Sequence, residues 1–125
     1  MKIERIQHVS LTRPFGSDEQ VRAYYGDTLG LEEIKRPGSL SSMDLIWFRL
    51  GDQELHLVAE DAPHNTGSGR HLCLVVDDVP ALRQKLEDRG HAIEDAVAIP
   101  NRPRFFSRDP FGNNIEFTTI VGVFE

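Results

Sequence analysis

Residues 71–86 read HLCLVVDDVPALRQKL, and a change of period inside this stretch decides the fold class. Over 71–77 the side chains alternate. Leu72, Leu74 and Val76 fall on one face and His71, Cys73 and Val75 on the other, which is the period of a strand. Asp78 then stands as a helix N-cap with Pro80 in the first turn. Val79, Leu82 and Leu86 recur at helical spacing, and Gly90 closes the helix. Downstream, HAIEDAVAI (91–99) reads as a weak strand. PRFFSRD (103–109) and NNIEFTTI (113–120) read as two strands around DPFGN, whose Asp-Pro-x-Gly order suits a type I turn. The closing VGVFE (121–125) either pairs at an edge or frays.

Upstream the same order occurs once more. RIQHVSLTR (5–13) alternates as a strand, with His8 sharing a face with Ile6 and Ser10. SDEQVRAYYGDTLG (17–30) reads as a helix. Ser17 with Gln20 offers a capping box, and Val21, Tyr24, Tyr25 and Leu29 form the apolar stripe. LEEIKRP (31–37) predicts a strand, and DLIWFRL (44–50) and ELHLVA (54–59) a hairpin about Gly51-Asp52. EDAPHNTGSG (60–69) is polar and rich in turn formers, and reads as a linker. The chain is thus strand, helix and three strands, performed twice. HVSL matches HLCL and sets His8 against His71; more loosely, ELHLV matches NIEFT and sets His56 against Glu116.

The pleat gives these four residues a common property. Each lies on the strand face opposite a purely apolar row, Leu55 and Leu57 behind His56 and Ile115 and Phe117 behind Glu116. The apolar rows can pack under helices, and the ionisable residues then point to the concave side of each sheet. Two such sheets set edge to edge would curl into a half-open mixed β-barrel, an α+β fold of two βαβββ modules around a groove. The expected organisation is one domain over 1–125, with modules 1–60 and 70–120 joined by the polar linker. A lone strand histidine is more often hydrogen-bonded than a ligand, but four ligand types on matching faces of a doubled pattern point to a metal centre. His8, His56, His71 and Glu116 are the expected ligands of one divalent ion, and mixed imidazole and carboxylate donors suit Zn, Ni, Co, Fe or Mn. His64 and His91 are expected to be exposed. Cys73 is expected to be a small core residue. Trp47, Phe48, Phe105 and Phe106 are expected mostly in the core, with Trp47 and Phe106 lining a pocket. Arg104, beside the Glu116 strand, is the candidate for binding an anionic substrate.

Composition narrows the partners. The 125 residues are 39% hydrophobic and 27% charged, with a net charge of -6 and an isoelectric point near 5.3. That balance argues against nucleic acid, whose phosphates need clustered Lys and Arg, and against a membrane surface. No apolar run approaches the roughly 20 residues that span a bilayer. MKIERIQHVS has charges where a signal peptide needs an apolar stretch, and a single cysteine excludes an intrachain disulfide. A cytoplasmic location follows as the expectation.

At IQHVSL, YYGDTLGLEE, ELHLV, HLCLVVDD and above all FFSRDPFGNNIEF, the chain resembles the vicinal oxygen chelate superfamily. That group includes glyoxalase I, methylmalonyl-CoA epimerase, extradiol dioxygenases, fosfomycin-resistance thiol transferases and bleomycin-resistance proteins. The resemblance implies paired βαβββ modules around one metal, with ligands on the first, fourth, fifth and eighth strands, and a homodimer. It implies a metal-dependent lyase or isomerase acting on a small substrate with vicinal oxygens through an enediolate-type intermediate. Glu116 would be the base, with His56 able to share that role. Glyoxalase I typically has Glu, and the epimerases Gln, where this chain has His56. Two alternatives stand beside it: a ferrous extradiol-type dioxygenase using His8, His71 and Glu116, and a metal-free protein that binds a small molecule such as an antibiotic.

Overall fold

The structure is a computed structural model and describes residues 1–123. The chain divides into two compact units, Met1–His64 and Asn65–Glu125. In the first, β1 (His8–Arg13) is followed by α1 (Asp18–Val21), β2 (Glu33–Ile34), β3 (Leu45–Leu50) and β4 (Gln53–Ala59). In the second, β5 (Leu72–Val75) is followed by α2 (Val79–Asp88), β6 (Glu94–Asp95), β7 (Arg104–Arg108) and β8 (Asn114–Thr118). Each unit holds a four-stranded mixed sheet, ordered β1-β4-β3-β2 and β5-β8-β7-β6. The first strand of each unit runs parallel to the last, and the remaining pairs are antiparallel. This is the α+β architecture expected from the doubled pattern.

Alternation decides which face is buried. In the first unit Leu55, Leu57, Ile46 and Phe48 are buried, as are Val21, Tyr24 and Tyr25 of the helix, and the Tyr25 and Phe48 rings meet at 5.8 Å. In the second, Phe105, Ile115 and Phe117 are fully buried, with Leu86 and Val79 of α2 also in the core. Full burial of such a side chain contributes roughly 1.5–3 kcal/mol, so these rows fix each strand's register and leave the opposite rows free for chemistry.

Several local expectations change. Ser17 stands at the N-cap of α1 but caps no backbone N–H. Its Oγ donates to the Pro14 carbonyl at 2.5 Å and accepts from Arg13 Nη1 at 3.3 Å, so no capping box with Gln20 forms. After Val21 the helix widens into a π-helix, Arg22–Thr28. The Leu29 N–H reaches back five residues to the Tyr24 carbonyl at 2.9 Å. The wider turn lets two consecutive residues, Tyr24 and Tyr25, both reach the core, where their rings meet edge to face at 4.8 Å. The predicted strands 31–37 and 91–99 shrink to Glu33–Ile34 and Glu94–Asp95. Each is an edge strand, paired on one side only. Asp78 does cap α2, its carboxylate accepting from the Ala81 N–H at 3.0 Å. No strand forms within 119–123, and the last two residues of VGVFE lie outside the described chain.

The DPFGN turn forms as read. The Gly112 N–H bonds the Asp109 carbonyl at 3.1 Å, while Asp109 Oδ1 accepts from Phe111 and Asn113. Gly112 has φ +89°, and a Cβ there would sit 2.7 Å from Thr66 Cγ2, so only glycine fits. The end of the linker is tied down at this turn, because Asn65 Nδ2 donates to the Phe111 carbonyl and Arg108 donates to the Asn65 carbonyl.

Candidate functional site

In the first unit the registers Ser10↔His56 and Trp47↔His56 set β1, β4 and β3 side by side, with His8 two residues before Ser10 on the same face. Three rings then stack. Trp47 lies on His56 with centroids 3.9 Å apart and planes 1° apart, and His8 covers His56 at 4.2 Å and 16°. His56 is 7% exposed. Its Nε2 donates to Glu54 Oε1 at 2.9 Å, so the lone pair of the neutral ring sits on Nδ1. That hydrogen bond holds the Glu54 carboxyl below its usual range. His8 Nδ1 donates to Gln7 Oε1 at 2.7 Å, which leaves Nε2 as the free lone pair. An imidazole ligand holds its ion about 2.1 Å away, close to its own ring plane. Two nearly parallel rings 4.2 Å apart cannot both do so for one ion. As stacked, one of these histidines can ligate, and both only if a ring turns.

In the second unit His71 Nε2 lies 3.1 Å from Glu116 Oε1. His71 Nδ1 is 3.0 Å from the Gly69 carbonyl, which can only accept, so Nδ1 carries the proton. A neutral ring then turns a lone pair toward the carboxylate, and the two repel unless a proton or a metal cation lies between them. Two ligands at right angles and about 2.1 Å from an ion are roughly 3 Å apart, which matches the spacing found. A carbonyl on the far nitrogen of a ligating histidine is also the arrangement that fixes its tautomer. The donor pair fits a divalent ion. Glu116 Oε2 accepts from Arg104 Nη1 at 3.3 Å. Arg104 lies over the Phe106 ring at 5.7 Å, and Phe106 meets His71 edge-on at 4.9 Å. Asn114 shares this face, and its buried Oδ1 has no donor.

Of the expected site residues, the structure thus groups His8, His56 and Trp47 in the first unit and His71, Glu116, Arg104 and Phe106 in the second. Among the described residues no group of three or more His, Cys, Asp or Glu side chains gathers closely enough to hold an ion. Phe48 and Phe105 are core, while Trp47 and Phe106 lie half-buried on the histidine faces. His64 is exposed, but His91 is half-buried near the end of α2. Cys73 is exposed, not a core residue, because it lies on the Glu116 face opposite Leu74. Partial desolvation, and then the neighbouring Glu116 carboxylate, push its thiol up to about 11. Sequence reasoning passed over Gly69 and Gln7, which orient the rings. Glu54 was legible only as a neighbour on the His56 face.

Paired βαβββ modules with imidazole and carboxylate donors on corresponding strands define a class of small, often metal-using proteins. The profile of the Glyoxalase/Bleomycin resistance protein/Dioxygenase superfamily matches residues 5–117, and the chain belongs to that superfamily. A glyoxalase family protein of Bacillus anthracis is similar at 37% identity, covering 96% of this chain and 98% of its own, with a TM-score of 0.86. Lactoylglutathione lyase from Agrobacterium tumefaciens is similar at 25% identity over 94% of this chain and 95% of its own, with a TM-score of 0.70. An antibiotic binding protein from Streptomyces, TnmS3, is similar at 25% identity over 96% and 98%, with a TM-score of 0.74. No curated protein matches. No helix among the described residues is long and apolar enough to cross a membrane.

Proposed function

We propose that the chain is a metal-dependent lyase or isomerase acting on a small substrate with two adjacent oxygens. The observation that carries this reading is the His71–Glu116 pair, two potential ligand atoms 3.1 Å apart, with the other ring nitrogen of His71 3.0 Å from the Gly69 carbonyl. We assign His71 and Glu116 as metal ligands within the second unit, His8 as the first unit's candidate ligand, and His56 to proton transfer. The stack lets only one of the first unit's rings ligate any one ion, and His8 takes that role because it is the exposed ring while His56 is buried beneath it. A bound divalent ion supplies Lewis acidity toward the substrate oxygens. Glu116 takes the proton from the carbon beside the polarised oxygen, and Arg104 on Oε2 keeps that carboxylate oriented. His56 returns or removes a proton through Nδ1, since its Nε2–H is held by Glu54. Trp47 and Phe106 supply the flat apolar walls. A homodimer belongs to the same reading, supported by the exposed apolar side chains Val75, Val97, Val121 and Val123.

Elemental analysis of protein purified without chelators, with turnover of hemithioacetals and catechols tested across Zn, Ni, Co, Fe and Mn, checks this reading. The expected result is a stoichiometric metal and turnover of a hemithioacetal or a related isomerisation substrate, both lost or sharply reduced in Glu116→Gln. A variant that keeps metal and full turnover overturns the proposal. Oxygen uptake with catechols on Fe alone assigns the dioxygenase alternative. The metal-free binding alternative has its own support in the closed Trp47–His56–His8 stack and in the likeness to an antibiotic binding protein. Protein that carries no metal and binds none in titration favours it.

A further inference from the structure

The first unit carries a pocket of about 280 Å³ between β2 and β3, lined among others by Ile34, Lys35, Arg36, Pro37, Leu45 and Trp47. That is near the lower end of small-molecule sites. Its wall continues the histidine face, because Ile34 pairs with Trp47 and Trp47 with His56. Two of its residues carry N–H groups with no acceptor. Arg36 donates through Nη1 to the Leu45 carbonyl and through Nη2 to the Ser41 carbonyl, both at 3.0 Å, but its buried Nε bonds nothing. Trp47 Nε1 is likewise buried and unpaired. Buried donors are rarely left so. Arg36 also makes no ion pair among the described residues, so a half-buried cation faces carbonyls alone. The one carboxylate lining the pocket, Glu33, is already held by Arg22 through two bonds of 2.8 and 3.0 Å. Lys35 adds a second positive charge in a chain whose net charge is -6.

We propose that this pocket binds a carboxylate with a small apolar body. The carboxylate accepts from Arg36 Nε–H and Trp47 Nε1–H, which are covered in the free chain and are uncovered by a small shift of these two side chains as it enters, and the body lies along Ile34, Pro37 and Leu45. A carboxylate fits because it is acceptor-only, charged, and able to take two donors at once. Resting on the functional reading above, the pocket further specifies the substrate as a carboxylic acid. Its carboxylate is seated here and its reactive oxygens extend toward the imidazoles on the same face.

Trp47 is the sole tryptophan, so its indole N–H gives a single reporter resonance. The experiment titrates ¹⁵N-labelled full chain with benzoate, with benzamide as the neutral isostere and inorganic phosphate as the alternative anion. Benzoate is expected to move the indole resonance saturably, with both other probes at least about tenfold weaker, a difference of one decade in Kd. Arg36→Met is expected to weaken benzoate by about tenfold or more, and Arg36→Lys by less. Equal binding of benzoate and benzamide, phosphate binding as tightly as benzoate, or no response of the indole to benzoate overturns the proposal. The comparison of probes on the unaltered chain holds even if Arg36→Met folds poorly. Glu116→Ala separates this inference from the functional reading. Benzoate binding that survives in that variant while metal is lost supports both, and benzoate binding with metal unaffected supports the pocket and sinks the metal site.

Discussion

The same slot in each unit, the meeting of its first and last strands, is filled by two imidazoles in one and by an imidazole and a carboxylate in the other. His8 and His56 lie on β1 and β4, and His71 and Glu116 at β5 and β8. The pleat and the parallel pairing are common to both. The contacts are not. Flat rings in the first unit lie face to face and draw Trp47 into the stack. Glu116 offers no face to stack on, so His71 meets it nitrogen to oxygen, and Phe106, the counterpart of Trp47 in register, turns edge-on to His71. One exchange of side-chain shape thus turns a duplicated frame into an aromatic shelf on one side and an imidazole–carboxylate pair on the other.

The sharpest way to break this contrast is to remove the second unit's pair. Glu116→Ala and His71→Ala are each expected to weaken binding of the cognate metal by about 100-fold or more, since even outer partners of metal ligands cost 10–100-fold. Competition titration with a chromogenic chelator measures it. Unchanged affinity in either variant would mean the pair is a proton-sharing contact and no ion site. In the first unit the expected effects are unequal. His8→Ala loses about tenfold in metal affinity and His56→Ala about threefold or less, on the same scale. His56 is expected to show in kcat instead. Equal losses would mean that the stack opens and both rings ligate.

The sequence made the alternating faces legible because burial and polarity differ so strongly along β4 and β8. The apolar rows Leu55–Leu57 and Ile115–Phe117 leave no other register. It also put His8, His56, His71 and Glu116 on the strand faces opposite those apolar rows. It did not reveal the stack, because a ring's orientation depends on a neighbour across a strand pair, and nothing local to His56 marks Trp47 as that neighbour. Gly69 was hidden for a similar reason, since a backbone carbonyl has no residue-type signal. Arg13 is the plainest case. It closes a strand at the position where the other unit has Val76, and an end-of-strand arginine reads as a surface cation, yet its side chain is 0% exposed. Only the fold shows Asp18 and Asp44, at 2.6 and 2.8 Å, converging on it from α1 and from the approach to β3.

That buried cation makes the next prediction. Asp18→Ala with Asp44→Ala strips its counter-charges and is expected to cost about 2–3 kcal/mol, less than the 3–5 kcal/mol typical of a fully buried pair because both aspartates are partly in water. Chemical denaturation reads the loss, and each single variant is expected to cost less than half of it, because the other carboxylate still neutralises the guanidinium. A loss equal to that of two exposed pairs would mean that water reaches Arg13.

The smallest effect separates the two helices. Both begin after a residue with capping chemistry, Ser17 for α1 and Asp78 for α2, yet only Asp78 bonds a free backbone N–H at its helix's start. Asp78→Ala is therefore expected to cost about 1 kcal/mol, the usual worth of an N-cap. Ser17→Ala removes no cap. Its buried hydroxyl instead joins the Pro14 carbonyl to Arg13, so that loss should register in the ion cluster. The discriminating measurement is a double-mutant cycle. Ser17→Ala is expected to couple with Asp44→Ala, through their shared contact with Arg13, and Asp78→Ala to add to it independently. If Ser17→Ala were additive with Asp44→Ala, the hydroxyl would be serving α1 alone, and the two helix starts would be equivalent after all.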